Sequence, residues 1–224
     1  MGYKRRLTTY QAPTISSAFT VPSLQTVGGS RLKTCMLYTE AFSLNPGAGG
    51  IASVYVFNLN SLFDPNVTGV GHQPTGFDQL MAIYEQYTVY GVKYKVSINN
   101  VDATQAVIAG VTTNDSSTTQ TDPRVYMENG QTEWKGVSNR NGAGEDIVYF
   151  SNYVDLAKVH GLPMNQYLNE DVYAGTQTTN PTENSFLHVW AAAYDNLSDP
   201  GTQFLWIELE MFCVLKGGKL NQLS

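Results

Sequence analysis

Short and long connections alternate strictly along this chain, and few folds accommodate that pattern. Eight candidate strands, lettered B to I, cover about 31–44, 51–59, 87–99, 104–113, 131–138, 145–152, 185–194 and 203–216. The links at 45–50, 100–103, 139–144 and 195–202 are short and made of turn formers such as Asn, Asp, Gly and Pro. The links at 60–86, 114–130 and 153–184 are several times longer. A double-sheet jelly roll needs this alternation: short links cross between the sheets at one end, and long ones carry excursions at the other. An up-and-down barrel would need uniformly short links, and no internal repeat points to a propeller. The expected fold is therefore all-β: an eight-stranded jelly roll of two four-stranded antiparallel sheets, B-I-D-G and C-H-E-F. A short helix is expected in the C–D connection.

The periodicities support this reading. Strand I, TQFLWIELEMFCVL, alternates over its whole length, whereas strand H, SFLHVWAAAY, is apolar in both phases and so should be central. Strands F and G carry the weakest signal, and residues 145–161 read as a strand running into a helical turn at 154–159. Residues 71–98 change period midway. Phe77, Leu80, Met81 and Tyr84 recur at helical spacing after a capping-box-like Thr75 and Asp78. Tyr90, Val92, Tyr94, Val96 and Ile98 then alternate with Gly91, Lys93, Lys95 and Ser97 as in a strand with one buried face. Cys35 and Cys213 fall in opposite phases relative to their apolar neighbours, so two free thiols on opposite sides of one sheet are expected.

Composition narrows the classes of function. Charged residues make up 14% of the chain, and Tyr and Gly are abundant, which suits a turn-rich β protein better than a helical or disordered one. No apolar run is long enough for a transmembrane helix and no signal peptide opens the chain, so membrane insertion is not expected. The net charge of −6 is unevenly distributed. Residues 1–39 hold five basic residues, Lys4, Arg5, Arg6, Arg31 and Lys33, and no acidic one; the remainder holds 8 basic and 19 acidic residues. Residues 1–30 lack periodicity and read as an extended, weakly basic arm. Residues 31–216 form the domain, and 217–224 a tail. The basic cluster either contacts something anionic, such as nucleic acid through its phosphates, or serves only solubility.

The search for chemistry finds no catalytic motif. There is no G-x-S-x-G, H-E-x-x-H or P-loop, and the Gly-rich stretches lack the third glycine of a dinucleotide loop. His72, His160 and His188 are far apart in sequence. His188 is expected to be a hydrogen-bonded structural residue, and the other two plain loop residues. Loop aspartates show no spacing that converges on a cation. Neither an enzymatic activity nor a metal or cofactor is expected. In the expected topology, strand I lies between B and D. Glu208 and Glu210 should then face Lys93 and Lys95 across strands, a structural alternative to nucleic-acid contact by those lysines. Phe204, Trp206 and Phe212 share that outward phase, so either packing within the domain or the arm or another subunit should cover them.

The wording of residues 71–98, GHQPTGFDQLMAIYEQYTVYGVKYKVSI, resembles the segment before and through strand D in capsid proteins of circular Rep-encoding single-stranded DNA (CRESS-DNA) viruses. The likeness is specific over this segment and only compatible elsewhere. It implies a jelly-roll subunit of an icosahedral shell, T=1 by expectation, around single-stranded DNA. It also implies Lys4, Arg5, Arg6, Arg31 and Lys33 turned toward the genome, with weak, non-specific binding. The short loops would meet at the fivefold axis and the long ones would form outer surface and other symmetry contacts. The expected location is the virion, with synthesis in the host cytoplasm and the nucleus as a candidate place of assembly. This chain departs from many relatives in having three clustered cations where they have a long Arg-rich arm. The alternative from another class is a jelly-roll module binding carbohydrate or a receptor, as in lectins and fibre heads.

Overall fold

A computed structural model describes residues 31–219. The arm that carries Lys4, Arg5 and Arg6 lies outside the described residues. Among the described residues there are eight strands: β1 (Leu32–Leu44), β2 (Ser53–Asn58), β3 (Tyr84–Asn100), β4 (Val107–Asn114), β5 (Thr132–Val137), β6 (Ile147–Asp155), β7 (Phe186–Ala193) and β8 (Gln203–Gly218). They correspond to B through I in order. All pairings are antiparallel, and the sheets run β1-β8-β3-β6 and β2-β7-β4-β5. This is the expected jelly roll, B-I-D-G packed on C-H-E-F. Strand β8 continues to Gly218, past the expected boundary at 216.

The core lies between the sheets. One phase of β8, Leu205, Ile207, Leu209 and Met211, meets Met36 and Tyr38 from β1 and Val92, Tyr94, Val96 and Ile98 from β3, all buried. Strand β7 is buried in both phases, as its sequence, apolar but for His188, requires. Its inner residues Leu187 and Val189 face the core. Its outer residues His188 and Trp190 are covered by helix α2 (Pro123–Met127), whose Tyr126 ring stacks on Trp190 at 5.5 Å. Gly110 of β4 pairs with Trp190, and a Cβ there would sit 2.6 Å from Cζ2 of the indole. The missing side chain is what lets the ring lie across the strand.

Three local expectations need correction. Helix α1 spans only Phe77–Met81, and Tyr84 already belongs to β3. Its N-cap is Gly76 at φ 87°, with no side-chain cap, so the Thr75–Asp78 capping box does not form. Gly76 supplies the left-handed turn, and the Phe77 N–H is satisfied by the Pro74 carbonyl. Second, Tyr90 does not share the buried phase of Val92. A bulge between Val89 and Gly91 shifts the register, so Tyr87 and Val89 enter the core upstream while Tyr90 turns outward onto Phe212. Third, Val154 stays in β6, and the helical turn after it, α3, is confined to Leu156–Val159. Asp155 caps this turn by accepting from the Lys158 N–H. Helix α4 (Met164–Tyr167) follows, and its Tyr167 hydroxyl donates to the Val89 carbonyl at the bulge.

Candidate assembly surfaces

The strand registers assemble the outer face of the β1-β8-β3-β6 sheet row by row. One row is Ser43–Phe204–Asn99–Ile147, and the next is Ala41–Trp206–Ser97–Tyr149. Below them run Thr39–Glu208–Lys95–Ser151 and Leu37–Glu210–Lys93–Tyr153. The two upper rows carry no charge and stand open: Phe204 is 54% exposed, and Trp206 is 64% exposed. Tyr149 stands at 66%. Because Ser97 is small, Trp206 and Tyr149 border a groove of about 440 Å³, floored by Val96, Phe150 and Ile207.

The two lower rows hold the expected cross-strand charge pairs. Lys93 reaches Glu210 at 3.7 Å, and Lys95 bonds Glu208 and lies 3.4 Å from Glu210. Hydrogen bonding to Glu208 raises the Lys95 pKa. Each lysine is thus met by a glutamate of the neighbouring strand, the arrangement expected for a structural pair. Phe212 differs from the other two aromatics of its phase: it is partly buried between Tyr90 and Tyr153, with ring centroids at 6.4 and 6.1 Å.

Arg31 and Lys33 sit at the far end of the same sheet, both exposed. Arg31 donates to Asn169 Oδ1 at 2.6 Å in the β6–β7 connection. Lys216 of β8 lies near it and was not anticipated from the sequence. Burial, and then the Arg31 charge, lower its pKa, and its Nζ bonds the Leu168 carbonyl. The structure thus brings Arg31 and Lys216 together at one end of the sheet and leaves Phe204 and Trp206 at the other.

The short connections gather at that other end, where Asp102 ties them together. Its Oδ1 accepts from the Thr104 and Gln105 N–H groups at 2.7 and 2.9 Å, and its Oδ2 accepts from the Gly201 N–H at 2.8 Å. These backbone donors hold the carboxyl well below its usual range, at about 2. The Asp102 carbonyl accepts from the Arg140 N–H, and Asn139 Nδ2 donates to the Thr104 carbonyl. The β1–β2 connection joins through Gly49 N–H to the Leu197 carbonyl. The result is a braced platform with Ile51 and Leu197 exposed on it. The sequence marked these segments as turns, but the link from Asp102 to Gly201 had no local signal.

The histidines are occupied structurally. His188 is buried, with Nε2 donating to the Ser116 carbonyl at 2.7 Å and Nδ1 accepting from the Tyr126 hydroxyl at 3.1 Å. The carbonyl can only accept, which fixes the neutral tautomer, and burial lowers the His188 pKa. His160 is no plain loop residue: its ring packs on Tyr167 and Tyr173 and bonds Ser185. His72 lies on Tyr38, with ring centroids at 4.7 Å. Cys35 is exposed and Cys213 buried, both free, on opposite faces as their phases required. Burial pushes the Cys213 thiol up to about 12. Among the described residues no group of three or more His, Cys, Asp or Glu could hold a metal ion, and no helix is long and apolar enough to cross a membrane.

No family model matches the sequence, and no curated protein matches it. Solved structures do. One is the decameric BFDV capsid protein, at 10% identity and TM-score 0.45, covering 83% of this chain and 99% of that one. Another is the semi-empty virus-like particle of the giant freshwater prawn Macrobrachium rosenbergii nodavirus, at 10% identity and TM-score 0.46, covering 99% and 96%. Turnip yellow mosaic virus matches at 8% identity and TM-score 0.44, covering 87% and 99%. All three TM-scores lie below 0.5, and the jelly-roll assignment rests on this chain's own strand order.

Proposed function

We propose that this chain is a viral capsid subunit, a structural protein without catalytic role, that closes with copies of itself into an icosahedral shell of T=1 geometry. The observation that carries the reading is the pairing of a braced loop platform at one end of a jelly roll with an exposed, charge-compensated aromatic sheet face beside it. Both are suited to contact with other copies, because a closed assembly needs at least two rigid, complementary surfaces per subunit. The resemblance of residues 71–98 to CRESS-DNA virus capsid proteins supports single-stranded, circular DNA as the enclosed genome.

In this reading Lys4, Arg5 and Arg6, with Arg31 and Lys33, bind the genome weakly and without sequence preference through its phosphates. Phe204, Trp206 and Phe212 serve contacts between or within subunits, Phe212 from its place between Tyr90 and Tyr153. The expected location is the virion, with the nucleus or cytoplasm of the host as site of assembly. Negative-stain electron microscopy of the purified chain tests the shell: uniform round particles are expected, whereas a monomer or trimer retained on a glycan column would establish the lectin-like alternative. Deleting residues 1–30 tests the arm. The 260/280 absorbance ratio of nuclease-treated particles should fall, and an unchanged ratio would remove the arm as the nucleic-acid ligand.

A further inference from the structure

The Trp206–Tyr149 groove is apolar on its floor and neutral at its rim. Its two charged lining residues, Lys95 and Glu208, are bonded to each other. A phosphate backbone laid here would have to compete with Glu208 and Glu210 for the lysines, so nucleic acid is poorly matched to it. An uncharged, extended segment carrying apolar side chains is better matched, and a proline ring between two aromatic rings is a recurrent form of such recognition.

The chain contains such a segment at a suitable distance. Residues 7–30 carry no charge, and 18–24 read Ala-Phe-Thr-Val-Pro-Ser-Leu. Gly28 and Gly29 stand just before β1 and permit the chain to reverse. The groove lies at the level of Ala41, nine residues beyond Leu32, and Pro22 stands nine residues before Arg31. Either stretch spans about 30 Å when extended. The groove centre is offset from β1 by two strand spacings, about 10 Å. A segment folding back from Arg31 along this face therefore brings Phe19 to Pro22 to the level of Trp206. Tethering raises its effective concentration to about the millimolar range, so even a weak contact stays closed.

We propose that residues 18–24 seat in the Trp206–Tyr149 groove of their own subunit, anchoring the arm to the outer face of the β1-β8-β3-β6 sheet. This goes beyond the shell reading: with the groove filled, the arm-covered face together with the loop platform would meet other copies, and failure of the proposal leaves the platform and that reading in place. An anchored arm would project Lys4, Arg5 and Arg6 from one defined side of the subunit, which loose attachment at Arg31 alone would not do.

The test uses acrylamide quenching of tryptophan fluorescence in the full chain carrying Trp134→Phe. This leaves Trp206 as the exposed indole, because Trp190 is buried. Trp206 should be shielded in that chain. The substitutions Phe19→Asp and Pro22→Gly together, in the full-length chain, should raise its quenching constant severalfold. Removing residues 1–27 should do the same, and a synthetic peptide of residues 15–27 should restore shielding to the truncated protein. Three results would overturn the proposal: equal quenching with and without the two substitutions; shielding that ignores them but vanishes when particles are dissociated, which assigns the groove to a second copy; and shielding that arises only on adding oligo(dT), which assigns it to nucleic acid.

Discussion

Single side chains make this fold specific at places where bulk hydrophobicity could not. Gly110 gives up its side chain so that Trp190 can cross β4, donate from Nε1 to Thr112 Oγ1 at 3.1 Å, and stack under Tyr126. Gly110→Ala should lower stability by about 1–3 kcal/mol through overpacking against the indole and the Glu133 carbonyl. Chemical denaturation measures this, with the midpoint shifting and the slope unchanged. Asp102 acts on the opposite principle, satisfying backbone donors of two loops at once. Asp102→Ala should cost about 1–2 kcal/mol near neutral pH, given the partly exposed setting. Its carboxyl is held at about 2 in the folded chain, below the ordinary 3.8. The stabilisation is therefore complete above about pH 4 and disappears as pH falls toward 2. The stability difference between Asp102→Asn and the unaltered chain should narrow over that window.

Among the elements, the excursions decide which sheet faces are covered. The β4–β5 connection seals the outer face of β7 through Tyr126 and His188, and the α3–α4 region seals one end of β3 through Tyr167. His188 is held neutral, its pKa lowered by burial. An unfolded chain binds a proton there more readily, so this site contributes stability above about pH 6.5 that is lost as pH falls below it. Relative to the intrinsic rate, which itself slows on acidification, the protection of residues 115–131 against amide exchange should fall through that range. In a His188→Gln variant the same acidification should have a smaller effect. The upper rows of the outer β1-β8-β3-β6 face receive no such cover from the described excursions, and this is why Phe204, Trp206 and Tyr149 stand open.

These elements also show how far the sequence could be read. Alternation over 203–216 and the rhythm of short and long links carried enough information for strand order, and through it for the Lys–Glu ladder and the opposed cysteines. The bulge at Tyr90 was hidden because one inserted residue leaves the letters in apparent phase while the backbone turns the ring outward. Tyr149 was overlooked because β6 is short of apolar contrast, its exposed phase being itself aromatic. The Asp102–Gly201 bond and the Arg31–Lys216 approach join residues far apart in the chain, and no local pattern encodes such meetings.

At the scale of the whole molecule, the proposed shell would have the acidic body meet its copies through braced loops and a neutral face, and the basic segment meet a polyanion through a few cations. Removing residues 1–30 should thus lower packaged nucleic acid more than it lowers particle yield, read by absorbance and by sedimentation of the same preparation. The central claim is closure into a shell, and the mass distribution of the purified full-length chain tests it most directly. Sixty copies of a 24.6 kDa chain make a particle of about 1.5 MDa before any nucleic acid is counted. Mass photometry should find a narrow population at or above that mass which nuclease does not dissolve. A distribution confined to one or a few chain masses, at every concentration and salt at which the protein stays folded, would contradict the account.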